Sequence, residues 1–328
     1  METVLVAGGA GYIGSNICAE LIKNNYRVVV ADNLIHGHRA AVPKECAFEK
    51  ISVLETEALA DLMRRYEVDA VVHNAAFIEA GESMRDPGSF FYNNTAGSLS
   101  VLQAMVKAGV KRIVFSSTAA VYGNPDRLPI TEELSLHPEN AYGESKLLVE
   151  RMLAWFERIH GLRAARLRFF NASGASEERG EDHHPETHLI PLVIQAAMKK
   201  RPYIAVFGSD YATEDGTCVR DYVHIQDLAS AHLLALEALK ERGGLVYNLG
   251  SGQGFSVKEI IDTVREVSQR DFEVRMMERR PGDPDILIAS SEKIRRELGW
   301  KPRFDSIEAI VRSAWNWHTR HPDGYGDC

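Results

Sequence analysis

No run of about 18 apolar residues occurs anywhere in the 328-residue sequence, which excludes a conventional membrane-spanning helix. Cysteine is scarce. Cys18, Cys46, Cys218 and Cys328 show no paired spacing, so neither a disulfide framework nor a cysteine-rich zinc module is expected. They read as reduced thiols of a soluble, cytoplasmic protein, and the sequon Asn93-Asn94-Thr95 is then a chance match. No basic, apolar leader is expected either, because Met1-Glu2-Thr3-Val4-Leu5-Val6-Ala7-Gly8 runs straight into a strand and a glycine turn. Basic residues are outnumbered, 38 against 46 acidic, for a formal net charge of −8. A nucleic-acid partner needs a basic surface and is not expected, whereas a local phosphate site remains compatible. Internal repeats and low-complexity tracts are lacking, which removes solenoids and disordered arrays. What is present is apolar residue in quantity, 45%, enough to build a substantial core.

The first half alternates short β-branched runs with longer amphipathic ones. Thr3–Ala7, Arg27–Ala31, Ala70–His73 and Arg112–Ser116 read as strands, and 15–24, 59–66 and 95–108 as helices. Such alternation predicts an α/β fold: a Rossmann-type, doubly wound parallel sheet with crossover helices, binding ligand at the carboxyl ends of its strands. The character changes near residue 171. Residues 172–188 read as a loop rich in Ser, Gly, Glu and His. A smaller α+β substrate-binding domain is expected beyond it, with helices near 189–200, 226–241, 256–268 and 306–318 and strands near 203–207 and 273–277. The division is therefore 1–171 and 172–328, with about 219–242 packing back onto the first domain.

Gly8-Gly9-Ala10-Gly11-Tyr12-Ile13-Gly14 follows the first strand and opens the first helix. Glycines there let the backbone turn sharply and approach a pyrophosphate, while the helix N-terminus offers free N–H groups. A second strand ends at Asp32, 18 residues past Gly14, the spacing of a ribose-binding carboxylate. An acid there favours the free hydroxyl of NAD and repels the extra phosphate of NADP, although Arg39 lies nearby. A tight turn with a loop-capping aspartate would look similar; the strand–turn–helix–strand context favours the dinucleotide.

Tyr142 and Lys146 stand four residues apart at the start of a run with apolar positions at helical spacing, Leu147, Leu148, Met152, Leu153 and Phe156. On a helix they share a face, and an ammonium near a phenol lowers the phenol's pKa from about 10, making it a general base. A solvated helix face would explain an isolated Tyr-x-x-x-Lys. Here it follows the dinucleotide fingerprint and the strand end Phe115-Ser116-Ser117-Thr118, whose hydroxyls would lie where ligand binds.

Together these segments resemble the extended short-chain dehydrogenase/reductase superfamily, and within it the UDP-glucose 4-epimerases. Further matching segments are His73-Asn74-Ala75-Ala76, Gly81-Glu82-Ser83, Tyr92-Asn93-Asn94, Tyr122-Gly123, 168–174, 215–224 and 279–283, in the family's order along nearly the whole chain. The resemblance implies tightly held NAD contacted by Gly8, Gly11, Tyr12, Ile13, Gly14, Asp32, Asn33, Asn74, Ala75, Ala76, Asn93, Ser116, Tyr142, Lys146 and Phe169. It implies that Tyr142, as phenolate, takes the proton of the sugar 4-hydroxyl while hydride passes from C4 to the nicotinamide. Lys146 would hold the nicotinamide ribose and tune Tyr142, and Thr118 would bond the 4-oxygen. The 4-keto sugar would turn about its pyrophosphate link and take the hydride back on its other face. Asn171, His188, Leu189, Arg220, Arg280 and Asp283 would hold the UDP-sugar, arginine suiting a diphosphate through its planar fork. A homodimer formed by helices within 95–108 and 146–158 is also implied.

Departures from the family pattern are few. Thr118 stands where serine is common, and the hydroxyl is kept. Val53 replaces an acid near the adenine, leaving Glu55 or the backbone to accept from the adenine amino group. His188 stands where some members have an asparagine at the sugar diphosphate, and either serves there or is one of several solvated histidines in 182–188. Leu287, four residues past Asp283, is intermediate between the bulky residues that exclude N-acetylated sugars and the small ones that admit them. His183, His184 and His188 invite a metal reading, but the segment reads as a mobile loop without fixed ligand geometry, so no metal is expected. A 4,6-dehydratase would need Asp-Glu after Thr118, and Ala119-Ala120 stand there; a UDP-glucuronate decarboxylase lacks its glutamate for the same reason. A non-catalytic NAD-binding scaffold is disfavoured because the tyrosine and lysine are both present. Epimerases of other UDP-sugars, such as N-acetylglucosamine, glucuronate or the pentoses, remain the alternative.

Overall fold

Valine, leucine and alanine fill Thr3–Ala7 and Ala70–His73 with no polar alternation, and both runs are buried along their whole length. Strands covered by helices on both faces require this. The computed structural model describes residues 1–279 and 283–326. Its main sheet contains β1 (Thr3–Ala7), β2 (Arg27–Asp32), β3 (Ala47–Lys50), β4 (Ala70–His73), β5 (Arg112–Thr118), β6 (Arg163–Phe169) and a further strand, Leu245–Leu249. The order is Leu245–Leu249, β6, β5, β4, β1, β2, β3, with every pairing parallel. The winding direction reverses between β1 and β4, and ligand crevices of open α/β sheets form at that switch point.

Helix α1 (Tyr12–Lys23) and the helix Ile225–Ala238 cover one face, in a core with Ile17, Leu21, Leu228, Leu236 and Trp300. The helices Thr56–Arg65, Gly97–Ala108 and Ala141–His160 cover the other, around Leu59, Leu102, Phe115 and Leu153. A separate core joins Leu189–Ala197, Val257–Ser268 and Ile307–Arg320. Beside it Tyr203–Phe207 pairs parallel with Glu273–Met277, and Val219–His224 is flanked by Gly254–Ser256, Ile286–Leu287 and Asn171–Ser173. Among the described residues no helix is long and apolar enough to cross a membrane.

Three strands of the main sheet were not expected from sequence. Ala47–Lys50 is too short to carry a period, and Leu245–Leu249 is distant from the other six. Arg163–Phe169 is masked by its arginines. Arg166 and Arg168 are only 5% and 4% exposed because each is neutralised inside the protein, Arg166 by Glu157 at 2.8 Å and Arg168 by Glu150 at 2.6 Å. Ser117 also donates to Glu150 at 2.6 Å, and Arg168 donates to Tyr122, whose hydroxyl reaches Asn248 at 2.7 Å. This buried network ties β5, β6, the strand Leu245–Leu249 and the helix Ala141–His160 together beneath the crevice. Cys18 and Cys46, remote in sequence, meet as thiols: burial pushes Cys18 up, and a hydrogen bond from it lowers Cys46.

Candidate active site

Two glycines explain how β1 meets α1. Gly8 has φ +81°, where side chains are strained, and a Cβ on it would lie 2.5 Å from the Ala75 nitrogen after β4. A Cβ on Gly14 would lie 2.0 Å from the Gly8 carbonyl oxygen. The first turn of α1 therefore sits directly on the switch point. No side chain caps that helix, so its leading N–H groups are left for a ligand.

Asp32 closes β2 at the rim of the same crevice. Its Oδ2 accepts from the Ala10 N–H at 2.9 Å and its Oδ1 from Leu34 at 2.8 Å, which aims the carboxylate along the cleft. Burial raises its pKa, partly offset by these two N–H groups. Arg39 stacks over Phe48 at 4.6 Å and is not among the cleft residues, so it does not offset the acid toward a ribose phosphate. At the far end Val53 and Ile51 present apolar walls. Glu55 does not reach the cleft; its Oε1 accepts from the Ser52 N–H at 2.9 Å. Asn74 adds a buried Nδ2 with no hydrogen-bond partner. An uncapped helix start, a carboxylate at the end of β2 and an unsatisfied amide in one trough fit a dinucleotide with a free ribose.

The chemistry-bearing groups come from β5 and the helix Ala141–His160. Asn140 caps that helix by accepting from Gly143 N–H at 2.8 Å, which places Tyr142 in the first turn and Lys146 one turn on. Gly143 presses against the turn after β5: a Cβ there would lie 2.6 Å from the Ala120 carbonyl oxygen. This close approach puts the Tyr142 phenol against Thr118, whose hydroxyl bonds to it and favours its ionised form. Thr118 Oγ1 accepts from Ala120 N–H at 3.1 Å, so its own hydrogen is free to point at the phenol. Lys146 is 4% exposed and donates to the Ser116 carbonyl at 2.9 Å, with its ammonium 4.9 Å from the Phe115 ring centre.

One electrostatic expectation is corrected. Burial pushes Tyr142 up to about 12, with Glu79 adding to the rise and Thr118 opposing it. Lys146 does not offset this, because it points at Ser116, and burial brings it down to about 7. The chain's own side chains thus keep the phenol protonated. Ser116 also bonds to Asn74 and, at 2.9 Å, to Nε2 of His232. His232 is buried and neutral, held down to about 4, with Nδ1 donating to the Leu228 carbonyl at 2.8 Å.

Every residue expected at the cofactor lines this one cleft: Gly8, Gly11, Tyr12, Ile13, Gly14, Asp32, Asn33, Asn74, Ala75, Ala76, Asn93, Ser116, Tyr142, Lys146 and Phe169. Asn93 gets there through a π-helical stretch, Phe91–Ala96, in which Asn94 clamps both backbone groups of Phe77. Of the residues expected at the sugar nucleotide, Thr118, Tyr142, Asn171 and His188 line the cleft, and Asn171 donates to the Asp221 carbonyl at 2.8 Å. Leu189, Arg220 and Asp283 are not among its lining residues. Arg220 instead faces Asp283 at 3.6 Å and donates to the carbonyls of Val219 and Pro284. Arg280 lies outside the described residues. Leu287 pairs beside Arg220 and packs with Val121, Tyr122 and the lining residue Phe170, without itself lining the cleft. His36, Phe77, Ile78, Glu79, Glu181 and His183 line the cleft without having been expected there, since they sit in loops with no periodic signal.

The segment 182–188, read from sequence as a mobile loop without fixed geometry, is instead pinned. Asp182 pairs with His38 at 3.6 Å and with His184 at 3.2 Å, and accepts from Tyr325 N–H at 2.9 Å. Glu181, 5% exposed, and Glu186 both reach His188 at 2.9 Å. Burial works against these charges, but Glu181 and Glu186 hold His188 well above its ordinary range.

Comparison with known proteins agrees with this geometry. Residues 4–250 match the model of the NAD dependent epimerase/dehydratase family. The chain belongs to that family. It is 50% identical over 329 residues to a UDP-glucose 4-epimerase of Streptococcus mutans, covering 99% of each. Its structure superposes on a UDP-glucose 4-epimerase from Brucella ovis in complex with NAD, with TM-score 0.94, 43% identity and coverage of 96% of this chain and 98% of that one. A UDP-glucose 4-epimerase from Bifidobacterium longum in complex with NAD+ and UDP gives TM-score 0.94 at 35% identity, over 98% and 99%. As an epimerase-family member, the chain has its tyrosine, lysine and threonine in the cleft that the glycine turn begins.

Proposed function

We propose that this protein is a UDP-glucose 4-epimerase that interconverts UDP-galactose and UDP-glucose while retaining NAD. One observation carries the reading: Tyr142, Thr118 and Lys146 converge at the end of β5, in the same cleft as the uncapped start of α1 and the Asp32 carboxylate. Asp32 accepts from the adenosine ribose hydroxyls, and the first turn of α1 holds the pyrophosphate. Asn74 and Ser116 border the nicotinamide end. When bound, NAD supplies the two-electron acceptor that takes and returns the C4 hydride, and its cationic ring supplies the positive charge that the side chains around Tyr142 lack.

Tyr142 receives the proton of the sugar 4-hydroxyl and gives it back after the sugar has turned over. Thr118 donates to the oxygen that carries the charge, a contact that strengthens as the charge develops. Lys146, anchored on the Ser116 carbonyl, orients the nicotinamide ribose. Asn171, His188, Leu189, Arg220, Arg280 and Asp283 hold the uridine diphosphate; Arg220 exchanges Asp283 for a diphosphate oxygen when the nucleotide enters. The cofactor side comprises 1–171 with about 219–242 returned to it, and the sugar-nucleotide side 172–328. We infer a cytoplasmic homodimer. Trp155 and Ile159, 60% and 64% exposed on the helix Ala141–His160, offer the apolar surface for pairing.

The test is to give purified protein UDP-galactose with no added NAD and to follow UDP-glucose by chromatography, with UDP-N-acetylgalactosamine in parallel. Conversion of UDP-galactose is expected. Failure on both substrates, with NAD present in the protein, would overturn the assignment and direct attention to uronic-acid and pentose nucleotides.

A further inference from the structure

Glu181, His183, Glu186 and His188 each send one ligand atom toward a common point, and these four atoms all lie within 4.8 Å of one another. The two imidazoles use the same nitrogen, Nδ1. His188 Nδ1 is 2.9 Å from Glu181 Oε1 and 2.9 Å from Glu186 Oε1; His183 Nδ1 is 3.3 Å from Glu181 Oε1 and 4.0 Å from Glu186 Oε2. A tetrahedral zinc with ligands at about 2.1 Å sets its donor atoms about 3.4 Å apart, within the range of these separations.

Glu181 and Glu186 side chains are only 6% and 5% exposed. One N–H of His188 is shared between them, while the buried His183 Nδ1, although 3.3 Å from Glu181 Oε1, lies outside good hydrogen-bond geometry. A buried imidazole nitrogen beside two carboxylates without a well-formed hydrogen bond is a costly arrangement. A divalent ion between neutral imidazoles satisfies all four groups at once. Two imidazoles with two carboxylates is a donor set that suits zinc, whereas magnesium and calcium favour all-oxygen sites. The cluster is also built to last: the Glu186 Oε1 accepts from the N–H groups of Thr187 and His188 at 2.7 and 2.8 Å, and the Tyr12 ring lies edge-on to His183.

We propose that Glu181, His183, Glu186 and His188 form a zinc site on the wall of the cleft. The ion staples the loop 181–188 ahead of the helix Leu189–Ala197 and fixes the face that His188 presents to the cleft. The site shares His188 with the proposed diphosphate pocket but does not depend on which UDP-sugar is bound.

The experiment uses untagged full-length protein, purified without chelators and dialysed against micromolar ZnCl2, with metal measured by mass spectrometry. One zinc per chain is expected in the wild type, and less than about a tenth of that in His183→Asn and in Glu186→Gln. Cobalt(II) substitution of the wild type should give the intense visible bands of a tetrahedral site, and these bands need no variant to fold. Thermal unfolding of the wild type should shift downward on addition of dipicolinate and recover with zinc. No stoichiometric zinc, retention of zinc in both variants, or binding of magnesium in its place would each overturn the proposal. Zinc held by Cys18 and Cys46 would show itself as retention in both variants.

Discussion

Replacing Thr118 with valine removes one hydroxyl and keeps the shape. In the structure that hydroxyl does two things: its oxygen accepts from Ala120 N–H at 3.1 Å, and its hydrogen is left for the Tyr142 phenol. The first is a cap of a short turn, and its loss should cost about 0.5–2 kcal/mol of stability. The second opposes a burial effect that pushes Tyr142 up to about 12. A hydrogen bond to a charged group contributes about 1.5–3 kcal/mol, which corresponds to a fall in kcat of about 10- to 150-fold in Thr118→Val. Because the bond strengthens as charge develops, KM for UDP-galactose should stay within about threefold. The acidic limb of the kcat–pH profile should move upward, since the phenol becomes harder to ionise. Thr118→Ser keeps donor and cap and should retain most of the activity. The assay is initial-rate conversion of UDP-galactose at 25 °C, with thermal unfolding run beside it to confirm a folded variant. A valine variant within about threefold of wild type, or a serine variant as damaged as the valine one, would refute the reasoning.

Asp32→Asn should remove the charge that repels a ribose phosphate, so NADP binding, measured by fluorescence titration of cofactor-stripped protein, should strengthen relative to NAD by on the order of tenfold or more. Glu150→Ala leaves Arg168 buried without its partner and should lower unfolding free energy by about 3–5 kcal/mol in denaturant titration. His73, His224 and His232 are buried neutral, held by burial at about 3, about 3 and about 4 against 6.5 when exposed. As pH falls below 6.5 the unfolded chain binds these protons before the folded one does, so stability should drop from pH 6.5 toward 4. His232→Gln should flatten part of that slope. Trp155→Asp, on the exposed face of the helix Ala141–His160, should convert a dimer to a monomer in light scattering without loss of folding.

Much of the site is legible in the sequence because its chemistry depends on residues close along the chain. Gly8 to Gly14 is one turn, Tyr142 and Lys146 are one helical turn apart, and Asp32 lies at the end of the next strand, so local geometry alone aims them at one edge of a sheet. The alternation of strands and helices likewise determined the parallel sheet. Tertiary structure decided what depends on long-range burial. Arg166 and Arg168 make a strand look like surface until Glu157 and Glu150 are found beside them. The direction of the Tyr142 pKa depended on where Lys146 points, and only the fold turns that ammonium to Ser116. Likewise, residues 181–188 carry no period and read as a loose loop. Contacts with His38, Tyr12 and Tyr325, more than a hundred residues away along the chain, turn that loop into a cluster with fixed geometry. Spacing in sequence specifies neighbours on an element, while which elements meet is settled by the packing of the whole.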